Sequence, residues 1–75
     1  MLLPDNIHPH LSIYYSGSLV LKELKQKARQ QVFELYQQVK NNNDMSFFTF
    51  MLSLDWLYLI DAAKMNDDGW VELCL

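Results

Sequence analysis

Apolar residues recur at helical spacing along much of this chain, and polar stretches separate the successive series. The first series consists of Ile13, Gly17, Val20 and Leu24, at intervals of three or four residues. This spacing places the four positions on one face of a helix. The pattern predicts a first helix over residues 12–26.

Two prolines precede this helix. Pro4 and Pro9 fix φ, lack a backbone N–H and push the residue before them towards an extended conformation. Residues 1–11 are therefore predicted to form an extended arm. Ser12 follows the arm and is a favourable N-cap, because its hydroxyl can accept a hydrogen bond from a free N–H of the first helical turn.

A second apolar series begins without an intervening glycine or proline, so the periodicity alone also permits one long helix. A helix of roughly 30 residues is unusual in a small domain, which favours a break within residues 26–31 and a second helix over 30–41. The sequence NNND at 41–44 should end it, because Asn and Asp tolerate left-handed φ and compete for backbone hydrogen bonds. The apolar positions of this series are Ala28, Val32, Leu35 and Val39.

The third predicted helix, over residues 46–60, is apolar on most of its circumference. Its sequence is SFFTFMLSLDWLYLI. A second stripe, interrupted by Asp55, contains Phe48, Leu52 and Leu59, and Trp56 lies on the remaining side. The broad stripe that should pack on the first two helices consists of Phe47, Phe50, Met51, Leu54, Leu57 and Tyr58.

A domain of this size has too few other elements to cover a helix that is apolar on most sides. The second stripe is either buried by the hairpin and the N-terminal arm, or it contacts another chain, where a few aromatic residues often carry most of the binding energy. Both interpretations can hold in part. The predicted interface residues are Phe48, Leu52, Trp56, Leu59 and Trp70.

The end of the chain changes from helical to alternating periodicity. The sequence NDDG at 66–69 signals a turn, and Val71, Leu73 and Leu75 alternate after it. Residues 62–75 are predicted to form a β-hairpin, which must pack on a helix because an isolated hairpin is only marginally stable. Three helices followed by a C-terminal hairpin predict an α+β fold, a small winged-helix-like domain.

The length of 75 residues allows one domain with a single core. A hydrophobic fraction of 51% with 20% charged residues excludes a disordered chain. It also suggests that some apolar surface is available to a partner. The predicted core consists of Ile13, Val20, Leu24, Leu35, Val39, Phe47, Phe50, Leu54, Leu57, Tyr58, Val71 and Leu73.

Cys74 is the only cysteine, so no internal disulfide can form and a reducing cytoplasm is the expected compartment. The N-terminal sequence MLLPDNIHPH lacks the basic and apolar regions of a signal peptide. The apolar part of the third helix covers about 14 residues and contains Asp55, whereas a bilayer span needs about 20. No membrane segment is expected.

The formal charge of −3 is unevenly distributed. Residues 20–40 carry a net charge of +3 and residues 44–75 a net charge of −5, and no Lys or Arg occurs between Asp44 and Ala63. A DNA-reading third helix would need basic or amide side chains on its outer face, so this mode of binding is disfavoured. The basic residues that could contact a nucleic-acid backbone weakly, rather than form a solvated face, are Lys22, Lys25, Lys27 and Arg29.

No group of residues predicts catalysis. His8 and His10 lie close together, but a metal site needs three or four ligands. Cys74 has no neighbouring group that would activate its thiol, and Asp67 and Asp68 are read as turn residues. The chain is therefore predicted to have no enzymatic activity and to bind no cofactor and no metal.

Several motifs together resemble one known family. They are LLPDN at 2–6, SIYYSGSLVLKELK at 12–25, FELYQQVK at 33–40 and FMLSLDWLYLI at 50–60, followed by a short acidic hairpin. The chain resembles the small middle component of bacterial three-component ABC-ATPase systems over nearly its whole length. The residues that match the family pattern are Leu3, Pro4, Ser12, Gly17, Leu54, Leu57 and Tyr58.

Two features depart from the family pattern. Asp61 stands where the family tends to carry glycine after the last helix, and Asp can adopt a left-handed cap at modest cost. The sequence KQKARQQ at 25–31, at the junction between the first two helices, also departs from the family pattern.

The resemblance implies a non-catalytic, winged-helix-like adaptor in an anti-phage defence complex. It would bind an SMC/RecN-like coiled-coil ABC ATPase and a third, effector-type protein. Two other hypotheses remain open on the residues alone. One is a winged-helix transcription regulator that binds DNA as a homodimer, and the other is a free-standing inhibitor or antitoxin-like module.

Overall fold

The structure, a computed structural model, describes the backbone of residues 9–74 and the side chains of residues 13–74. Three helices and a three-stranded antiparallel sheet make up the described part, so the fold is α+β. The elements in chain order are α1 (Pro9–Gln26), β1 (Arg29–Gln31), α2 (Val32–Asn43), α3 (Phe47–Leu59), β2 (Ala63–Met65) and β3 (Trp70–Leu73).

Helix α1 begins at Pro9, so the prediction that residues 9–11 are extended is wrong. Proline is favourable at the first position of a helix, because the N–H it lacks would have no partner there and its fixed φ suits the helix. Pro9 therefore starts α1 instead of preventing it. Residues 1–8 of the predicted arm lie outside the described residues.

The predicted break between the first two helices contains a strand that the sequence analysis missed. Strand β1 pairs with β3, with Gln30 opposite Val71, and the sheet order is β1-β3-β2. Helix α2 then starts at Val32, two residues later than predicted. Its N-cap is Gln31, which forms a capping box with Glu34.

Strands β2 and β3 form the C-terminal hairpin, with Lys64 opposite Glu72. The side chain of Asn66 organises its turn, because the Oδ1 atom accepts hydrogen bonds from the backbone N–H groups of Asp68 at 2.9 Å and Trp70 at 3.0 Å. Gly69 completes the turn with φ of +83°, a conformation that glycine adopts without steric cost.

Aspartates occupy the left-handed positions after two of the helices. Asp44, at the end of α2, has φ of 53°, and its N–H donates to the Lys40 carbonyl. Asp61, after α3, has φ of 60°. At the start of α3 the Ser46 hydroxyl accepts a hydrogen bond from the Thr49 N–H at 3.2 Å. Left-handed aspartates thus follow α2 and α3, and the Ser46 side chain caps the start of α3.

The core lies between the helices and the inner face of the sheet. Of the twelve predicted core residues, Phe47 is wrongly placed, because it is 46% exposed. Ile13, Tyr58 and Leu73 are half-buried. Those that are fully buried are Val20, Leu24, Leu35, Val39, Phe50, Leu54, Leu57 and Val71.

Candidate protein-interaction surface

Helix α3 presents an apolar face to solvent. Phe48 is 72% exposed, Leu52 is 38% exposed and Leu59 is 82% exposed, while Phe50 and Leu54 on the opposite face are fully buried. The exposed residues are separated by four and seven positions, so they lie above one another along the helix. We call the row formed by Phe48, Leu52, Asp55 and Leu59 the α3 ridge.

The composition of α3 explains this exposure. From Phe47 to Leu59 the only polar side chains apart from the tyrosine are Thr49, Ser53 and Asp55, so the helix is apolar in almost every direction. Ser53 is nevertheless buried, with its hydroxyl donating to the Thr49 carbonyl at 2.8 Å. One face therefore packs on the core, and an apolar face is left over. Large exposed apolar patches often mark sites of interaction.

Trp56 borders the α3 ridge on the side of α1. A Cβ atom at Gly17 would lie 2.6 Å from Cε3 and 2.7 Å from Cζ3 of its indole, so the ring packs directly on the α1 backbone. Tyr14 meets the same ring edge-on, with centroids 4.9 Å apart. Trp56 is therefore half-buried by its own chain, and its predicted contact with a partner stays a prediction.

Phe47 borders the other side of α3, next to α2. Its ring meets that of Tyr36 edge-on at a centroid distance of 5.1 Å, and Tyr36 also contacts Phe50 at 5.1 Å. These three aromatic residues join α2 to the start of α3. The α3 ridge thus lies between two aromatic borders, one formed with each neighbouring helix.

Trp70, the last predicted interface residue, lies on β3 and not on α3. The Arg29 guanidinium stacks over its indole at 4.4 Å from the ring centroid, which is a cation–π contact. Arg29 Nε also donates to Glu72 at 3.1 Å. The structure therefore brings together Phe48, Leu52 and Leu59 on one surface, with Trp56 half-buried at its edge and Trp70 on a different element.

The four basic residues considered for nucleic-acid contact are all exposed. Two of them are engaged with carboxylates: Lys27 lies 3.8 Å from Glu34, and Arg29 pairs with Glu72. Ion pairs of this kind reduce the positive charge that phosphate groups would meet. Lys22 and Lys25 lie on α1.

Burial raises the pKa of the Tyr58 phenol above its ordinary value of 10.0, and the nearby Asp55 carboxylate raises that pKa further. Within the described side chains, no protein group hydrogen-bonds the buried Tyr58 hydroxyl.

Cys74 is exposed with a free thiol.

Among the residues that the structure describes, no group of three or more His, Cys, Asp or Glu side chains could hold a metal ion. The side chains of His8 and His10, which the sequence analysis considered insufficient for a metal site, lie outside the described residues. None of the described helices has the length and apolarity required to cross a membrane.

Sequence reasoning missed Tyr14 and Phe47 as the borders of the α3 ridge. Gly17 was a signal for the Trp56 contact, because glycine allows another element to approach the helix backbone closely, and Tyr14 lies one turn before Gly17. The exposure of Phe47 could not be found in the same way, because its spacing from Phe50 and Leu54 is that of a core residue.

The model of one protein family, ABC-three component (ABC-3C) system Middle Component 6, matches residues 3–74. The chain belongs to this family. No curated protein and no solved structure matches the chain. The Middle Component 6 assignment confirms the resemblance to a middle component and implies that the protein works with the other components of its system.

Several residues that carried the resemblance can now be located in this Middle Component 6 protein. Leu54 and Leu57 are fully buried in the core, and Gly17 contacts the Trp56 ring. Asp61 adopts a left-handed conformation, which glycine also adopts readily. The matching positions outside the described side chains are Leu3, Pro4 and Ser12.

Proposed function

We propose that this Middle Component 6 protein is a non-catalytic cytoplasmic adaptor in a bacterial anti-phage defence complex. It binds an SMC/RecN-like coiled-coil ABC ATPase and links it to a third, effector-type protein. The observation that carries this proposal is the α3 ridge, which exposes three large apolar side chains on a chain of 75 residues. Its winged-helix-like fold holds α3 in place.

The energy available at the α3 ridge supports a binding role. Burying a Leu or Phe side chain contributes about 1.5–3 kcal/mol relative to leaving it exposed. Covering Phe48, Leu52 and Leu59 together therefore supplies a substantial part of the free energy of a stable contact. The side chains stand on a helix anchored by the buried Phe50 and Leu54, so the backbone that carries them is already ordered before binding.

The polar side chains of the described region support a non-catalytic role, because several of them stabilise the fold. Asn66 holds the hairpin turn, Ser46 caps α3, and Gln30 binds carbonyl groups at the end of α1. Each of these groups hydrogen-bonds the backbone of its own chain.

The alternative of a DNA-binding regulator receives no support from α3. The face that would enter the major groove consists of Phe48, Leu52, Asp55 and Leu59, which can neither pair with phosphates nor donate hydrogen bonds to base edges. Arg29, on β1, is stacked on Trp70 and paired with Glu72.

The test is co-expression with the ATPase and effector components of the same system, followed by affinity purification. We expect Leu52→Glu to abolish recovery of the ATPase, because a charge would be forced into the apolar contact. Gln37→Glu, which adds the same charge to an exposed position of α2, is the matched control and should recover the ATPase normally. Normal recovery with Leu52→Glu would refute the proposed adaptor surface.

Trp56→Ala is unsuitable for this test. Its indole packs on Gly17 and Tyr14, so the substitution would disturb the contact between α1 and α3 as well as any interface. Circular dichroism of the isolated Leu52→Glu and Gln37→Glu variants is the folding control. We expect both spectra to show the helical content of the wild type.

A further inference from the structure

A single carboxylate interrupts the apolar row on α3. Asp55 lies between Leu52 and Leu59 on the α3 ridge and is exposed. It forms no ion pair with any described residue. A partner that covers the neighbouring leucines would also cover this carboxylate, and a buried charge is costly unless it is paired.

The shape of the α3 ridge favours a helix as the covering element. The row from Phe48 to Leu59 runs along about 16 Å of helix, at 1.5 Å per residue. Side-chain rows spaced by four residues pack into the grooves between the rows of a second helix. A partner strand would have to pair with an edge of the sheet instead. This is less favourable, because the edge strands β1 and β2 have three residues each and carry the charged Arg29 and Lys64.

A second copy of this chain is also a poor occupant. In a two-fold symmetric contact the same surface is used by both subunits. Because Asp55 lies near the middle of the α3 ridge, such a contact would bring two Asp55 carboxylates close together in an apolar interface. Like charges at close range are unfavourable when they are withdrawn from water.

The charge around α3 excludes polyanionic surfaces as occupants. Asp44, Asp55 and Asp61 precede, interrupt and follow the helix, and no Lys or Arg occurs from 44 to 63. Nucleic acids and anionic membranes would therefore be repelled. The same charges attract a cationic protein surface and favour its correct orientation.

We propose that the α3 ridge receives an amphipathic helix from another component of the system. The apolar stripe of this helix covers Phe48, Leu52 and Leu59, and one of its lysine or arginine residues pairs with Asp55. The inference rests on the proposed adaptor function, to which it adds the chemistry of the docking element.

The docking element can be captured directly in the assembled complex. The photo-reactive residue p-benzoylphenylalanine replaces Phe48, which preserves an aromatic side chain at this position, and the cross-linked peptide is identified by mass spectrometry. We expect a helical segment of another component with apolar residues three or four apart and a lysine or arginine among them. Cross-linking to a second copy of this chain, or to a segment without a basic residue, would overturn the proposal.

Affinity measurements on the purified complex test the charge pairing. We expect Asp55→Arg to weaken binding by about tenfold or more, and Asp55→Asn to weaken it less while reducing its dependence on salt. Asp67→Arg makes the same charge change at an exposed position of the hairpin turn and should bind like the wild type. Replacing the cross-linked basic residue of the partner with an acidic residue should restore its binding to the Asp55→Arg variant.

The outcomes separate this inference from the proposed function. If Leu52→Glu binds normally, the adaptor surface itself is wrong. If Leu52→Glu abolishes binding while Asp55→Arg keeps wild-type affinity and salt dependence, the surface stands and the cationic helix is ruled out.

Discussion

The contact between Gly17 and Trp56 joins α1 to α3 at the edge of the exposed surface. The indole lies so close to the α1 backbone that a methyl group at position 17 would fall within 2.7 Å of two ring atoms. Glycine in the middle of a helix normally costs about 0.5–1 kcal/mol relative to alanine. Here the close approach of a large aromatic ring compensates for that cost.

Gly17→Ala should therefore destabilise the protein, by about 1–3 kcal/mol, because the Trp56 ring must move out of its contact. In a Trp56→Ala background the same substitution should instead stabilise the fold by about 0.5–1 kcal/mol, since only the helix propensity of alanine remains. Urea unfolding of the two single variants and the double variant measures this reversal. The same sign in both backgrounds would contradict the packing of Trp56 on Gly17.

Tyr58 has a buried hydroxyl without a hydrogen-bond partner in the described part of the chain. Such a group carries a desolvation cost that no hydrogen bond from a described residue offsets. Its raised pKa, due to burial and then to Asp55, means that the folded state holds the phenolic proton more tightly than the unfolded chain. Stability linked to this proton is complete below pH 10.0 and is lost as the pH rises from 10.0 through the folded pKa.

Tyr58→Phe is expected to raise the free energy of unfolding at neutral pH by about 0.5–1 kcal/mol. It should also make stability fall less steeply above pH 10.0 than in the wild type, because the raised pKa of Tyr58 no longer contributes. Urea unfolding at pH 7 and at several alkaline pH values measures both effects. Tyr15→Phe, at an exposed tyrosine of α1, is the control; equal changes in the two variants would argue against a special role of Tyr58.

At the scale of elements, the end of α1 and the start of β1 are held together by one side chain. Gln30 is almost fully buried, and its Nε2 atom donates to the carbonyls of Lys27 at 2.9 Å and Glu23 at 3.2 Å. The Glu23 side chain in turn accepts a hydrogen bond from Asn42 of α2 at 2.8 Å. These bonds tie α1, β1 and α2 to one another where the chain changes direction.

Gln30→Met keeps the length of the side chain and removes both donors. We expect it to lower the free energy of unfolding by about 1–3 kcal/mol, because the carbonyls of Glu23 and Lys27 lose the hydrogen bonds that the buried Gln30 side chain donates. Gln37→Met on the exposed face of α2 should change stability by no more than about 0.5 kcal/mol. Thermal unfolding followed by circular dichroism compares the two variants, and equal losses would show that Gln30 does not hold this junction.

At the scale of the whole molecule, α3 divides its apolar residues between the core and solvent. Leu54 is fully buried, whereas Leu52, two positions earlier on the same helix, is 38% exposed on the α3 ridge. The core side stabilises the fold, and the ridge side contributes little to the isolated chain. This separation allows binding to be changed without loss of the fold.

The two leucines provide a direct comparison of the two faces. Leu54→Ala should destabilise the isolated protein by about 2–5 kcal/mol, because it leaves a cavity in the core. Leu52→Ala should cost far less, about 1 kcal/mol or below. Urea unfolding of the isolated chain tests this contrast, and comparable losses would mean that the α3 ridge belongs to the core.

Local patterns predicted the three helices and the C-terminal hairpin. The helices follow from apolar spacing, and the turn follows from NDDG at 66–69. The predicted start of α1 at residue 12 is wrong, because proline is favourable at the first position of a helix and α1 begins at Pro9.

Strand β1 could not be predicted in this way. Residues Arg29–Gln31 are polar and do not alternate, and they become a strand only because β3, about 40 residues later, provides hydrogen-bond partners. The positions of Phe47 and Trp56 on opposite sides of α3 also depend on long-range packing. Phe47 packs against Tyr36 of α2, and Trp56 packs against Gly17 of α1.

The sequence by itself determined that α3 carries more apolar surface than one core face can use. It also determined that α3 carries no positive charge, which disfavours a DNA-reading helix. Only the tertiary structure decided which apolar residues remain exposed, because that depends on where α1 and α2 meet α3. It placed Trp56 against Gly17 and left Phe48, Leu52, Asp55 and Leu59 facing solvent.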